Sequence, residues 1–252
     1  MSKLPLLNEY VIFTGITRTD EPIELTEKLG GIPIVAPFIT TKEIVEESDL
    51  DRLRNGNAWD WFIFTSQSSV QAFIHKMERF RMSPSDFQVK FAAVGEKTKA
   101  ALEKKGFTVH FTPSTYSADV FVQEFSEIAP TTAKCLFLRG NLAKQTISQG
   151  LPQYVEEWTV YETISVKENV HRVRELLESG KSCSLLFTSP STARVFHETI
   201  GKEINYTLFT VCAIGHVTRD YLVTLGISVQ VMPDTYTISE LLNKLAEWKG
   251  RE

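Results

Sequence analysis

The 252-residue chain has no apolar run near the roughly 20 residues that a bilayer span requires, which argues against a helical membrane protein. Cysteine is scarce. Cys135, Cys183 and Cys212 are an odd set, far apart, each inside an apolar stretch; they read as buried reduced thiols rather than a disulfide framework, and a cytoplasmic address follows as the expectation. Residues Met1 to Leu7 lack a cationic segment followed by an apolar stretch and a small-residue cleavage site, so export is not expected. Basic tracts are missing too, and the net charge is −4, so no general nucleic-acid surface is expected. An anionic ligand would therefore need local donors. The five histidines (His75, His110, His171, His197, His216) show no metal-ligand spacing, with one another or with the cysteines. Neither a Gly-x-x-x-x-Gly-Lys-Ser/Thr loop nor a Gly-x-Gly-x-x-Gly turn is present, and no local Ser-His-Asp or Cys-His signature stands out. Metal, nucleotide and covalent chemistry all lose support, and no cofactor is expected.

What the chain does have is an internal repeat. Trp61-Phe62-Ile63-Phe64-Thr65-Ser66-Gln67-Ser68 returns as Ser184-Leu185-Leu186-Phe187-Thr188-Ser189-Pro190-Ser191. Ala93-Val94-Gly95-Glu96-Lys97-Thr98 returns as Ala213-Ile214-Gly215-His216-Val217-Thr218. Gly106-Phe107-Thr108-Val109 and Pro113-Ser114-Thr115-Tyr116 return as Gly226-Ile227-Ser228-Val229 and Pro233-Asp234-Thr235-Tyr236. Three matches in one order, at an offset of about 120 residues, mark a duplicated domain rather than a short solenoid unit.

Each copy alternates short, wholly apolar runs with helix-period segments, the pattern of buried parallel strands joined by helical crossovers. Helices are predicted over 67–80 and 190–200, 97–105 and 217–225, and 117–127 and 237–248, with Gly106 and Gly226 as stop signals. The first copy continues through Cys135-Leu136-Phe137-Leu138, Arg139-Gly140, a helix, and a strand ending near Val160-Tyr161. The second copy runs out of chain, and its missing pieces stand at the N-terminus: Tyr10-Val11-Ile12-Phe13, Thr14-Gly15, a helix ending at Leu29-Gly30-Gly31, and a strand through Ile34-Val35. The expected fold is therefore α/β, with two similar lobes, each a parallel sheet flanked by helices. One lobe is discontinuous (1–38 with 164–252) and the other is inserted (39–163). A two-strand linker would join them and permit closure, with the ligand in the crevice beyond the strand ends.

The candidate residues cluster where strands end. Thr65-Ser66 and Thr188-Ser189 stand where strand gives way to helix: hydroxyls there cap the helix, for about 1 kcal/mol each, and the same helix N-termini also receive carboxylates. Gly95 with Thr98, and Gly215 with Thr218, suit a tight strand-to-helix turn or a close backbone approach to a ligand, with the threonine as donor. Arg139-Gly140 ends a strand, where an arginine either forks onto a carboxylate or joins a surface ion pair. Tyr161 lies in the proposed linker, as a packing residue or as a general acid. Tyr116 and Tyr236 hold equivalent repeat positions and read as structural. His216 follows Gly215, but its repeat mate is Glu96, which argues against a shared catalytic role.

Taken in order, Phe-Thr-Ser at 64–66 and 187–189, Ala-Val-Gly-Glu-Lys-Thr at 93–98, Leu138-Arg139-Gly140, Trp158 to Thr163, and Ala213-Ile214-Gly215 with Thr218 resemble the uroporphyrinogen-III synthase family over nearly the whole chain. The resemblance implies a cofactor-free lyase of tetrapyrrole and haem synthesis: linear hydroxymethylbilane loses its hydroxyl, its last pyrrole ring is inverted, and the macrocycle closes with loss of water. It makes Tyr161 the candidate proton donor. Thr65, Ser66, Gly95, Thr98, Arg139, Gly140, Thr188, Ser189, Gly215 and Thr218 become the substrate-binding set, and the partner is a small-molecule linear tetrapyrrole. A monomer is expected because closure about a hinge needs no second copy, and charge and hydropathy give no nucleic-acid or membrane partner. The sequence departs from the family in one place: Thr14 is followed by Gly15, with Thr17-Arg18 displaced, where the family has Thr-Arg at the strand end. A non-catalytic bilobed protein that binds a tetrapyrrole or another polyacid remains the alternative, because composition and periodicity suit both.

Overall fold

A computed structural model describes residues 4–17 and 19–251. Arg18, singled out above, lies outside the described residues. In chain order the strands are β1 (Tyr10–Phe13), β2 (Ile32–Val35), β3 (Ile39–Glu43), β4 (Trp61–Phe64), β5 (Lys90–Ala93), β6 (Val109–Phe111), β7 (Lys134–Gly140), β8 (Tyr154–Ser165), β9 (Cys183–Phe187) and β10 (Thr210–Ala213). The helices are α1 (Glu21–Lys28), α2 (Asp49–Arg54), α3 (Gln67–Arg79), α4 (Glu96–Lys104), α5 (Ala118–Ile128), α6 (Thr146–Gly150), α7 (Lys167–Leu177), α8 (Pro190–Phe196), α9 (His216–Thr224) and α10 (Ile238–Lys249). The chain divides into two compact units, Met1–Thr40 with Ile164–Glu252, and Thr41–Thr163; the division falls inside β3 and β8.

The discontinuous unit holds a sheet of order β10-β9-β1-β2. β1 pairs in parallel with β9 on one side (Tyr10 with Cys183, Phe13 with Leu186) and with β2 on the other. Alternate residues of these strands enter opposite cores, as a sheet covered on both faces requires. Ile12, Leu185, Phe187 and Val211 pack with Phe196 and Leu222, while Val11, Phe13, Leu186 and Cys212 pack with Leu241 and Leu245. The inserted unit repeats the plan in the order β3-β8-β7-β4-β5-β6. Its first face is dense in aromatic rings, with Phe62, Phe64, Phe73, Phe91 and Phe107 in contact and the Phe91–Phe107 centroids 4.6 Å apart. Trp61, Ile63 and Phe137 meet Phe121 and Phe125 on the other face.

Serines that end strands also start helices. Ser66 and Ser189 are the N-caps of α3 and α8, their hydroxyls accepting from the Ser69 and Thr192 N–H groups. Thr65 and Thr188 stand one residue too early to cap. Two other differences from the expected elements have local causes. α8 stops at Phe196, and a wide helical turn over His197–Gly201 follows, where the Tyr206 hydroxyl donates to the Gly201 carbonyl. In the inserted unit the segment after Gly106 forms β6, whereas after Gly226 only Val231 bridges to Cys212.

All three cysteines are free and buried. Burial, with the charge of Asp60, pushes the Cys135 thiol up to about 12, and burial with the charge of Glu9 raises Cys183 to about 11. The inserted unit also encloses an ion pair: Lys76 and Asp49 are both wholly buried, 2.6 Å apart, and Lys76 donates a second bond to the Ile44 carbonyl. No helix among the described residues is long and apolar enough to cross a membrane.

Candidate functional site

Parallel strands place their C-terminal ends along one edge of a sheet, so the ends of β4, β5 and β7, with the stretch of β8 paired to the end of β7, share an edge of the inserted unit. Thr65-Ser66, Gly95 with Thr98, Arg139-Gly140 and Tyr161 all belong to it. The backbone register then sorts them. β7 and β8 run in step from Lys134–Tyr154 to Arg139–Thr159, and the register shifts so that Gly140 faces Tyr161 instead of Val160. Such an irregularity re-aims a side chain. Val160 turns into the core and the Tyr161 ring lies against the Gly140 Cα, so close that a β-carbon on Gly140 would come within 2.4 Å of the ring. Asn141 fixes both sides of this turn, donating its N–H to the Tyr161 carbonyl and accepting the Thr163 N–H on its side-chain oxygen.

Tyr161 is half-buried, and its hydroxyl lies 3.2 Å from Ser66 Oγ. The phenol is thereby held at the N-terminus of α3, where free N–H groups and the helix dipole favour negative charge. Thr98 is buried in the first turn of α4, and Gly95 is that helix's N-cap with no side-chain bond. Glu96, the first residue of α4, lies 3.5 Å from the Tyr116 hydroxyl.

Arg139 is not poised for a ligand. It is buried, its Nη1 lies 2.5 Å from Glu157, and it donates to the carbonyls of Gly140 and Ala143. Burial alone would raise the Glu157 carboxyl; the Ser148 hydroxyl and the Arg139 guanidinium outweigh it and hold the carboxyl below its ordinary range. The guanidinium shapes the loop after β7 rather than standing open at the edge. Arg139 is engaged in an ion pair with the partly exposed Glu157.

The discontinuous unit has the corresponding edge after β9, β1 and β10. Thr188 and Ser189 follow β9, and Ser189 caps α8. Gly15, the repeat mate of Gly140, also admits a side chain, but a different one: a β-carbon there would lie 2.1 Å from Thr188 Oγ1. Any side chain at position 15 would meet Thr188. Thr14 is buried and donates to the Leu186 carbonyl at 2.7 Å. Gly215 is the N-cap of α9, Thr218 is buried in its first turn, and the Tyr236 ring covers Gly215, with its hydroxyl 2.9 Å from His216 Nδ1. Among the described residues no group of three or more His, Cys, Asp or Glu is arranged to hold a metal.

Sequence reasoning missed Ser69, Gly15 and Glu157. Ser69 had a signal, since a hydroxyl three residues after an N-cap serine recurs as Thr192 in the other copy. Glu157 had none, because its partner Arg139 lies across the β7–β8 pairing.

A sequence model of the family described as uroporphyrinogen-III synthase HemD matches residues 20–243. The uroporphyrinogen-III synthase of Chlorobaculum parvum is 33% identical over 195 residues, covering 73% of this chain and 77% of that protein. A putative uroporphyrinogen-III synthase of Methanothermobacter thermautotrophicus is 29% identical over 246 residues, covering 93% and 96%. Among solved structures, a mutant uroporphyrinogen III synthase from Thermus thermophilus shares the fold with a TM-score of 0.66 at 19% identity, covering 96% of this chain and 99% of that one. The Helicobacter pylori enzyme does so with a TM-score of 0.63 at 17% identity, covering 94% and 97%.

Proposed function

The chain belongs to the uroporphyrinogen-III synthase family, and from that membership we propose that it converts linear hydroxymethylbilane into the type III macrocycle, without a cofactor, as a cytoplasmic monomer. The family match across residues 20–243 carries the reaction; the phenol held at a parallel-strand edge supports the assignment of its acid.

The chemistry asks little of the protein beyond placement. The substrate's hydroxymethyl carbon is attached to an electron-rich pyrrole, so its C–O bond breaks once the oxygen is protonated, and the bonding pair leaves with the water formed. The pyrrole nitrogen lone pair stabilises the resulting cation. The last ring bonds to that carbon through the α-carbon that already carries the chain. The bond from this α-carbon to the adjoining methylene bridge then breaks, its electron pair restoring the ring. The methylene cation left on the neighbouring pyrrole re-bonds at the last ring's other α-carbon, whose proton is lost to restore aromaticity. Tyr161 is the acid for the first step and recovers its proton from the last. The unassisted cyclisation gives the wrong isomer, so the main catalytic effect is conformational: holding the chain in the inverting shape, a form of positioning worth several kcal/mol without any nucleophile.

Every pyrrole of the substrate carries an acetate and a propionate. Helix N-termini and hydroxyls suit these anions on a protein whose net charge is −4. The carboxylate-holding set is Thr65, Gly95 and Thr98 in the inserted unit and Thr188, Ser189 and Thr218 in the discontinuous one, with Gly95 open to backbone approach. Gly140 and Gly215 are left out because the Tyr161 and Tyr236 rings lie against them. Arg139 is left out because its guanidinium is already engaged. β3 and β8 serve as the two segments along which the chain passes between units.

Freshly prepared hydroxymethylbilane, with the product isomers resolved, tests the reading. Type III product at a rate proportional to enzyme is expected. Type I product alone, at the unassisted rate, would favour a non-catalytic polyacid binder.

A further inference from the structure

Ser66 Oγ carries one proton and has two acceptors at the same distance: Tyr161 Oη at 3.2 Å and Ser69 Oγ at 3.2 Å. It also accepts the Ser69 N–H at 3.1 Å. Ser69 Oγ gives its own proton to the Ser66 carbonyl at 2.8 Å, so toward Ser66 Oγ it can only accept. Two self-consistent arrangements follow. In the first, Tyr161 donates to Ser66, and Ser66 donates to Ser69. In the second, Ser66 turns its proton onto Tyr161 Oη, and the phenol's own proton is directed elsewhere.

We propose that Ser66 is a positioning residue for Tyr161, its hydroxyl proton swinging from Ser69 to the phenol oxygen as Tyr161 protonates the departing hydroxyl. This deepens the reading of Tyr161 as the acid and rests on it. The step balances: the Tyr161 O–H bond breaks, its proton joins the substrate oxygen, the C–O bond breaks and water leaves. The oxygen left negative on Tyr161 receives a hydrogen bond, not a proton, from Ser66. It keeps the charge until the ring-carbon proton returns. Charge-assisted bonds are roughly twice as strong as neutral ones, so the contact strengthens as the charge appears. The N-terminus of α3 adds its partial positive charge at the same place.

The repeat isolates what is special here. Ser189 makes the same cap, accepting the Thr192 N–H at 3.4 Å, while Thr192 Oγ1 donates back to the Ser189 carbonyl at 2.9 Å. The space beside Gly15 there is filled by Thr188, and among the described residues no tyrosine hydroxyl is bonded to Ser189. Only the copy in which Gly140 admits Tyr161 joins the cap to a phenol. Ser66 was expected among the carboxylate donors, and the hydrogen bonds give it this different part.

Steady-state kinetics on S66A, S66T, Y161F and the S66A/Y161F double variant test the assignment. S66A is expected to lower kcat by about 10- to 100-fold, the size of a lost bond to a charged group, with KM changed less than twofold. S66T keeps the hydroxyl and restores most of the rate. The double variant is no slower than Y161F, because Ser66 acts only through that phenol. S117A removes the equivalent cap of α5, where Ser117 accepts the Val120 N–H at 3.2 Å, and controls for loss of a cap alone; its kcat is unchanged. A raised KM at constant kcat in S66A, or S66A and Y161F effects that multiply, overturns the assignment. Should the wild-type protein form no type III product, the cyclase reading itself fails. The contact is then judged in the resting protein by ring-carbon NMR of Tyr161: a signal that moves in S66A and returns in S66T upholds it, and an unmoved signal overturns it.

Discussion

Replacing Gly140 by alanine would place a methyl carbon 2.4 Å from Tyr161 Cζ and 2.7 Å from its hydroxyl oxygen. Gly140 is not among the glycines with positive φ, so its backbone tolerates a side chain and only the space forbids one. Carbon atoms settle at about 3.5–4.0 Å, and the ring must therefore retreat by roughly 1 Å. A shift of that size lengthens the 3.2 Å contact with Ser66 beyond hydrogen-bonding range. Overpacking of this kind costs about 1–3 kcal/mol of stability, which leaves the unit folded. A misplacement of about 1 Å in a catalytic group costs on the order of 100-fold in rate. The assay is type III product formation at saturating substrate, run beside a urea melt of the same preparation. G140A is expected to fold with a modestly lowered midpoint and to turn over about 100-fold more slowly. Wild-type turnover by folded G140A would refute the reasoning, because it would mean that the ring's seat against β7 has no bearing on the acid.

Other perturbations separate stability from chemistry. Y161F is expected to lower turnover while the urea midpoint stays put, since the half-buried ring keeps its packing and loses only the hydroxyl; unchanged turnover would remove Tyr161 from the mechanism. G15A forces Thr188 Oγ1 away from a contact of 2.1 Å and is expected to raise KM about tenfold, the size of one bond to a carboxylate, with kcat preserved. D49N leaves the wholly buried Lys76 ammonium against a neutral amide, with Glu43 still 3.4 Å away, and is expected to cost about 3 kcal/mol in urea unfolding at pH 7. Cys135 governs part of the alkaline limb. Its folded thiol ionises at about 12, whereas an exposed one does so near 9.0. Between those values the unfolded chain has lost a proton that the folded chain keeps, so stability falls as pH rises, by up to about 1.4 kcal/mol per pH unit. Urea midpoints followed upward from about pH 8 should show that slope reduced in C135A.

β1, β4 and β9 were legible because each ends in a short apolar run closed by threonine, and the repeat aligned one copy's missing pieces with the other's. Tyr10–Phe13 pairs with Cys183–Leu186 where Cys135–Leu138 pairs with Trp61–Phe64, the same relation in both copies. Ser66 and Ser189 were legible as caps. The seat of Tyr161 was not, because it depends on one residue of slippage between Arg139 and Gly140, and nothing local in Trp158-Thr159-Val160-Tyr161 announces which residue will be skipped. Nor was the Ser66–Tyr161 bond, which joins residues 95 apart in sequence through two strands that only the folded sheet brings near. Arg139 was open to two readings for a related reason. A strand-end arginine resembles a ligand fork until the adjoining strand supplies Glu157.

The most direct trial is to titrate enzyme into freshly made hydroxymethylbilane and follow the isomer composition of the macrocycle. The expected result is a type III fraction that climbs toward unity as enzyme outpaces unassisted closure. A product that stays type I at every enzyme concentration would contradict it.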